Sequence, residues 1–287
     1  MRKYKELEII LPSFTCDKHC PYCTAKTTKW SEKEMSIESL RNNIEKMKND
    51  FSFIYLTLGG NGEPTLYSLE ILEEIVSIFD DFQIPIKRVL TSGNIFRNES
   101  KEKHEMFLKY GWKFEVTAAY TNIDKDMNLL GYNHKYYLGE RFRNSPVFLN
   151  YVLLKDNISN MVHEINSWFS NYLNIERISC KLLNINTREN GEDNKISRWI
   201  LENAIPKSDR ESVKSILDEN FEFISHEFDS LNYKHSSGKD IHFSWKNGKY
   251  GLHDLVWYCD RFVDYHLNSV NPLEVLNEKS LCCRKFL

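Results

Sequence analysis

The chain has 287 residues, with 38 Lys+Arg against 41 Asp+Glu and a formal charge of −3 at pH 7. That balance argues against a nucleic-acid or membrane surface built on charge, while 41% hydrophobic and 13% aromatic content excludes a disordered chain. One sizeable domain with an appendage, or two small domains, both fit this length. Met1–Glu6 has no apolar stretch behind its positive charges, and no run reaches the roughly 18 apolar residues of a membrane helix. A cytoplasmic protein is expected, where reduced thiols make clustered cysteines metal ligands rather than disulfides.

In chain order, six short apolar runs alternate with amphipathic stretches. The runs are Leu7–Leu11, Phe51–Leu58, Ile86–Thr91, Lys113–Ala119, Val147–Leu154 and Arg177–Leu183. They are β-branched, aromatic and nearly continuous in hydrophobicity, as strands of a parallel sheet buried on both faces should be. Helical patterns lie between them at Ser36–Asn49, Leu69–Asp80, Lys101–Tyr110 and Ser159–Tyr172, with Ser68 placed to cap the second. Tyr120–Pro146 carries the weakest pattern, with short helices expected at Asp124–Leu130 and His134–Arg143. Repeated strand–helix units predict an α/β fold, either a partial (β/α)6 TIM-like barrel or a doubly wound sheet.

After Leu183 the pattern changes, and residues 196–287 are expected to form an α+β extension to a core of residues 1–195. Ile196–Ala204, Asp209–Glu219, His253–His266 and Pro272–Asn277 read as helices. Ile241–Tyr250 reads as a hairpin about the Asn247-Gly248 turn.

Three of the seven cysteines, Cys16, Cys20 and Cys23, stand directly after the first strand. With seven cysteines in the chain, this spacing should arise by chance only about 0.004 times. A loop wrapping three thiolates around a metal explains it, with Pro21 stiffening the turn. A structural zinc site needs four ligands, and no second Cys/His pair follows at finger spacing. Electron-transfer ferredoxins need a fourth cysteine. Three thiolates on a [4Fe–4S] cluster would leave one iron open to bind a ligand.

Cys-x3-Cys-x2-Cys after the first strand, with Tyr22 before the last cysteine, resembles the radical S-adenosylmethionine (SAM) enzymes, most nearly the branch of the molybdenum-cofactor precursor cyclase. The resemblance implies that Cys16, Cys20 and Cys23 hold a [4Fe–4S] cluster whose open iron chelates the amino and carboxylate groups of SAM. Reduction then yields methionine and a 5′-deoxyadenosyl radical that abstracts hydrogen from a substrate, with a flavodoxin- or ferredoxin-type reductant as partner. Tyr22 is expected beside the adenine. Gly59-Gly60-Asn61-Gly62-Glu63-Pro64 resembles the family's Gly-Gly-Glu-Pro segment, which engages the methionine amino group. Gly62 and Glu63 match it better than Gly60, because Asn61 interrupts the glycines. Thr91, Ser92 and Asn94 end the third strand where relatives contact the SAM ribose or carboxylate. Thr117 on the fourth strand and Asn150 on the fifth match inward polar positions facing SAM.

The substrate implied is a nucleotide-like or other small metabolite. A peptide or macromolecule is the alternative within the family, and an iron–sulfur electron carrier or zinc-stabilised binding module the alternative outside it. Cys259, Cys282 and Cys283 invite an auxiliary cluster, although adjacent cysteines rarely share a metal, and Cys180 reads as a core thiol. Lys181, Asn184, Asn186, Arg188, Arg141, Arg143, His226, His235, His242 and His253 are substrate-facing candidates by position alone, and the aromatic-rich Phe243–Tyr250 segment could bind a partner or close a barrel edge.

Overall fold

The structure is a computed structural model that describes residues 2–12, 16–23, 36–49, 51–60, 62–131, 143–183, 195–227, 230–244, 254–258 and 261–264. Its first 182 residues alternate strand and helix: β1 (Arg2–Leu11), α1 (Ile37–Met47), β2 (Phe51–Gly60), α2 (Leu69–Ile78), β3 (Ile86–Thr91), α3 (Lys101–Lys109), β4 (Trp112–Ala118), α4 (Ile123–Leu130), β5 (Val147–Leu153), α5 (Met161–Asn171) and β6 (Ile175–Leu182). Helices α6 (Lys195–Asn203) and α7 (Arg210–Asn220) follow, then strands β7 (Glu222–Glu227), β8 (Ser230–Lys234), β9 (Asp240–Ser244), β10 (Asp254–Tyr258) and β11 (Arg261–Asp264).

Local chemistry sets the helix starts. Ser36 accepts a hydrogen bond from the Ser39 amide, Ser68 from Ile71 and Asn122 from Lys125, each meeting an amide that the first helical turn leaves without a partner. In α1, Leu40, Ile44 and Met47 form the buried stripe that docks the helix on the sheet.

The strands form one sheet in the order β11-β10-β1-β2-β3-β4-β5-β6-β9-β8-β7. From β1 to β6 spatial order follows chain order and every pairing is parallel. A doubly wound sheet reverses strand order at its switch point, so this singly wound order selects the barrel alternative. The sheet is also strongly curled. In a flat sheet β2 and β6 would lie roughly 19 Å apart at the usual spacing. Instead, the Arg177 guanidinium of β6 reaches the Tyr55 hydroxyl of β2 at 3.4 Å. The fold is thus an α/β partial barrel with an α+β extension, and Leu7, Leu56, Val89, Val116, Leu149 and Ile178 pack its outer layer against the helices.

Two readings of the extension are corrected. His253–His266, expected as a helix, contains β10, parallel to β1, and β11, antiparallel to β10. Leu255-Val256-Trp257-Tyr258 is a β-branched and aromatic run, and the free edge of β1 offers it a pairing ladder. The hairpin expected across Ile241–Tyr250 has no edge to use at its first strand, because β9 is flanked by β8 and β6. Its actual hairpin partner lies upstream, through a turn in which Gly238 adopts φ 81°. The expected turn at 246–249 and the elements at 134–142 and 272–277 lie outside the described residues. Among the described residues no helix is long and apolar enough to cross a membrane.

Candidate active site

The loop after β1 carries Cys16, Cys20 and Cys23 as partly exposed thiols outside any disulfide. A turn closed by the Cys23 amide donating to the Cys20 carbonyl, 3.2 Å, folds its second half back. Burial pushes the Cys16 thiol above its ordinary value, with the charges of Glu63, Asp17 and Cys23 adding to the effect. Loading a metal here therefore requires loss of protons.

Asp17, between the first two cysteines, ties this loop to the one after β3. Its carboxylate accepts from the Asn94 amide at 2.8 Å and pairs with Lys18 at 3.1 Å and Arg97 at 3.3 Å. Partial burial pushes the Asp17 pKa up, but these donors and cations hold it below the usual carboxylate range.

Glu63 is only 3% exposed and serves as a fastener between β2 and β3. Its Oε1 accepts from the Thr91 hydroxyl at 2.7 Å and from the Thr65 amide at 3.3 Å, while Oε2 accepts from the Ser92 amide at 2.6 Å. The Thr91 hydroxyl in turn accepts from the Gly93 amide at 3.0 Å, and Gly93 turns the chain at φ 99°. At Gly60 an added Cβ would meet only ordinary contacts, 3.5–3.6 Å from the backbone of Gly62 and Leu11, and its φ is not left-handed. Its own fold does not require glycine there. The missing Cβ leaves space beside the cysteine loop's root. Asn61 lies outside the described residues.

The other expected residues fall on the same rim or just beneath it. The Tyr22 ring packs on Trp199 of α6 at 5.7 Å between centroids, and its hydroxyl is buried with no partner. Burial pushes that phenol well above its ordinary pKa. Thr117 and Asn150 are register partners on the concave face. The Asn150 side chain bonds Glu115, while its Oδ1 is buried without a partner. Cysteine loop, Glu63, Thr91, Ser92 and Asn94 thus stand together at the carboxyl ends of β1–β3, the end at which βα barrels build active sites.

Charged residues in the barrel interior were not legible as a site. Arg88 of β3 is saturated: it pairs with Glu6 at 2.9 Å and Glu115 at 2.6 Å and donates to the Thr57 hydroxyl at 2.7 Å. Burial works against its charge, yet the two carboxylates raise its pKa. Burial likewise pushes Glu115 up, but Arg88, Lys181 and Arg177 together hold it low. Arg177, 5% exposed, has no carboxylate within ion-pair distance among the described residues. It reaches Tyr55 at 3.4 Å, lies 3.8 Å over the Phe148 ring, and leaves Nε buried without a partner. Ring contacts supply about 0.5–2 kcal/mol, less than the 3–5 kcal/mol typical of a buried charge stripped of its partner. The sequence signal was available: Glu6, Arg88, Glu115 and Arg177 interrupt otherwise apolar strands on one face.

Of the positional candidates, Lys181 and His242 line the interior cavity. His235 is committed to a turn through Ser237 and to Asn166, while Arg143 and His226 are exposed. Cys180 is a core thiol pushed up to about 12 by burial. Phe243 is buried in the core on β9. Arg141, Asn184, Asn186, Arg188, His253, Cys259, Cys282 and Cys283 lie outside the described residues.

No protein-family model and no curated protein matches the chain. Solved structures do. Streptococcus suis SuiB bound to S-adenosylmethionine is 13% identical over 96% of this chain and 64% of its own, with a TM-score of 0.58. SuiB bound to the precursor peptide SuiA is 14% identical over 75% of this chain and 46% of its own, TM-score 0.57. anSMEcpe with AdoMet and the Cp18Cys peptide is 13% identical over 77% and 60%, TM-score 0.55. The chain spans 46–64% of the length of these structures. At such identities the likeness is one of fold, the α/β partial barrel.

Proposed function

We propose that this chain is a radical SAM enzyme. The observation that carries the reading is the meeting, at one rim, of three thiols on the β1 loop, none in a disulfide, with the Glu63, Thr91, Ser92 and Asn94 constellation of the next two strands. Among the described residues no three His, Cys, Asp or Glu side chains converge closely enough to hold a single metal ion. A [4Fe–4S] cluster asks for a different arrangement, one thiolate on each of three irons, and the three thiols of the β1 loop, none in a disulfide, supply that donor set. Bound there, the cluster would use its open iron to hold SAM and would supply the electron that splits it to methionine and a 5′-deoxyadenosyl radical.

The chain's own residues position and shield. Glu63 fastens the end of β2 to the end of β3 beside the cysteine loop. Asp17 and Asn94 fix that loop against the β3 end. The inward Thr117 and the unmet Oδ1 of Asn150 leave hydrogen-bonding capacity for SAM. Tyr22 covers the loop and backs onto Trp199, keeping water from that side. A flavodoxin- or ferredoxin-type protein is the reductant this chemistry calls for, and the cytoplasm its compartment.

For the substrate we favour a peptide over a nucleotide-like metabolite, because SuiB and anSMEcpe, similar in fold across most of this chain, are each solved with a peptide. Anaerobic reconstitution followed by SAM and a strong reductant tests the reading. About four irons and 5′-deoxyadenosine are expected, both lost when Cys16, Cys20 and Cys23 are all replaced by Ala. Iron binding without any 5′-deoxyadenosine would overturn it. The same assay bears on Cys259, Cys282 and Cys283: about four irons surviving in the triple variant would reveal an auxiliary cluster.

A further inference from the structure

We propose that the interior cavity beneath the rim is a carboxylate-binding subsite with Arg177 as its anchor. The cavity, about 100 Å³ and partly open, is lined by β1–β3 on one side and β6–β9 on the other. Arg177 lines it, more than nine-tenths buried, with Nε unpartnered and no carboxylate within ion-pair distance among the described residues. Arg88 lines it too, but Glu6 and Glu115 already occupy that guanidinium. One of two interior arginines is therefore spent on the fold and the other is not.

The surroundings define the ligand. Ser179, Ser230, Asn232 and Ser244 bring hydroxyl and amide groups to the cavity, the usual company of a guanidinium that binds an oxyanion by paired hydrogen bonds. Arg88, Arg177 and Lys181 line it with Glu6 and Glu227, and Glu115, which despite burial those three cations hold low, lies beside them. With Arg88 spent on Glu6 and Glu115, a dianion would meet too little positive charge, which favours a monoanion such as a carboxylate. A volume far below the roughly 300–1,000 Å³ of a drug-sized site admits one end of a molecule, not a nucleotide. Arg177 sits near the amino end of β6, and the cysteine loop stands at the opposite, carboxyl end of β1. An anion held low would leave the rest of its molecule extended up the barrel toward the rim. That the anion belongs to the substrate rests on the radical SAM reading; that the cavity binds a carboxylate does not.

The test is calorimetric titration of the full chain, without SAM or reductant, using acetate, glutarate, N-acetylglutamate α-amide and its neutral glutamine analogue. Binding of the capped glutamate but not the glutamine analogue would identify a peptide side-chain carboxylate as the fitting source, while binding of glutarate or acetate alone would identify a free acid. Either supports the subsite, provided Arg177→Met weakens it by about thirtyfold or more. Ser179→Ala should weaken it about two- to tenfold, and carries the test if Arg177→Met does not fold. Binding of none of the four probes, or equal binding by wild type and variants, would overturn the proposal. 5′-Deoxyadenosine formation is measured separately. Carboxylate binding without SAM cleavage would sink only the enzyme reading, and cleavage without carboxylate binding only this one.

Discussion

The β3 side and the β6 side of the barrel interior each bury an arginine, and the two have been treated oppositely by their surroundings. Arg88 meets two carboxylates and a hydroxyl, whereas Arg177 meets one phenol at long range and two aromatic rings. The Tyr55 ring lies against both guanidiniums, 4.9 Å from Arg88 and 5.4 Å from Arg177, so the difference is one of charge and not of packing. A buried cation with partners is part of the scaffold. One that no carboxylate pairs with is a strain that the fold retains.

The largest test of that contrast is a pair of isosteric removals. Arg88→Met leaves Glu6 and Glu115 facing each other unpaired and should cost about 3–5 kcal/mol, read as a lower urea midpoint at unchanged slope. Arg177→Met should change stability by less than about 1 kcal/mol or raise it, since it removes a buried charge that no carboxylate pairs with directly. Equal losses in both would erase the distinction. A smaller effect is expected at the rim, where Glu63→Gln places an amide donor against the Ser92 amide or the Thr91 hydroxyl. A loss of about 2 kcal/mol is expected, with faster hydrogen exchange at Ser92. Unchanged protection there would mean that Glu63 does not fasten the two strands.

The smallest effect serves as a control on the outer face. His104 is buried, bonds Ser145 at 2.8 Å and stacks on Phe114 at 5.0 Å, and burial depresses its pKa below the ordinary 6.5. A depressed histidine contributes stability that is complete above about pH 6.5 and is lost as pH falls toward its folded value. Melting temperature should therefore drop between about pH 7 and 5 in the wild type, and less so in His104→Gln. Identical profiles would assign the acid sensitivity to the interior charges instead.

What the sequence made legible follows from what each strand touches. Strands β1 to β6 are covered on their outer faces by helices, so their apolar runs stood out, and Ser36, Ser68 and Asn122 marked helix starts. Strand β7 is exposed along most of its length and β8 shows only Leu231 and Tyr233 as buried positions, so neither carried a core signature. For β10 the deciding fact is the edge of β1 beside it, a tertiary partner that local periodicity does not report. At the site, the cysteine spacing is a local signal and was readable. Glu63's attachment to Thr91 and Ser92, Asp17's to Asn94, and the Arg177 contact with Tyr55 join residues 28, 77 and 122 positions apart in the chain. Such pairings exist only once the strands are assembled.

The parallel pairing of β10 with β1 has a consequence in time. It sets Glu6 beside Asp254, about 250 positions later in the chain. At roughly 5–20 residues per second of synthesis, β1 spends roughly 10–50 s with that ladder unmade. Throughout that interval the strand leading into the cysteine loop is an exposed template for other chains, and a ribosome-bound chain lacking residues 254–258 would be the species most prone to aggregate.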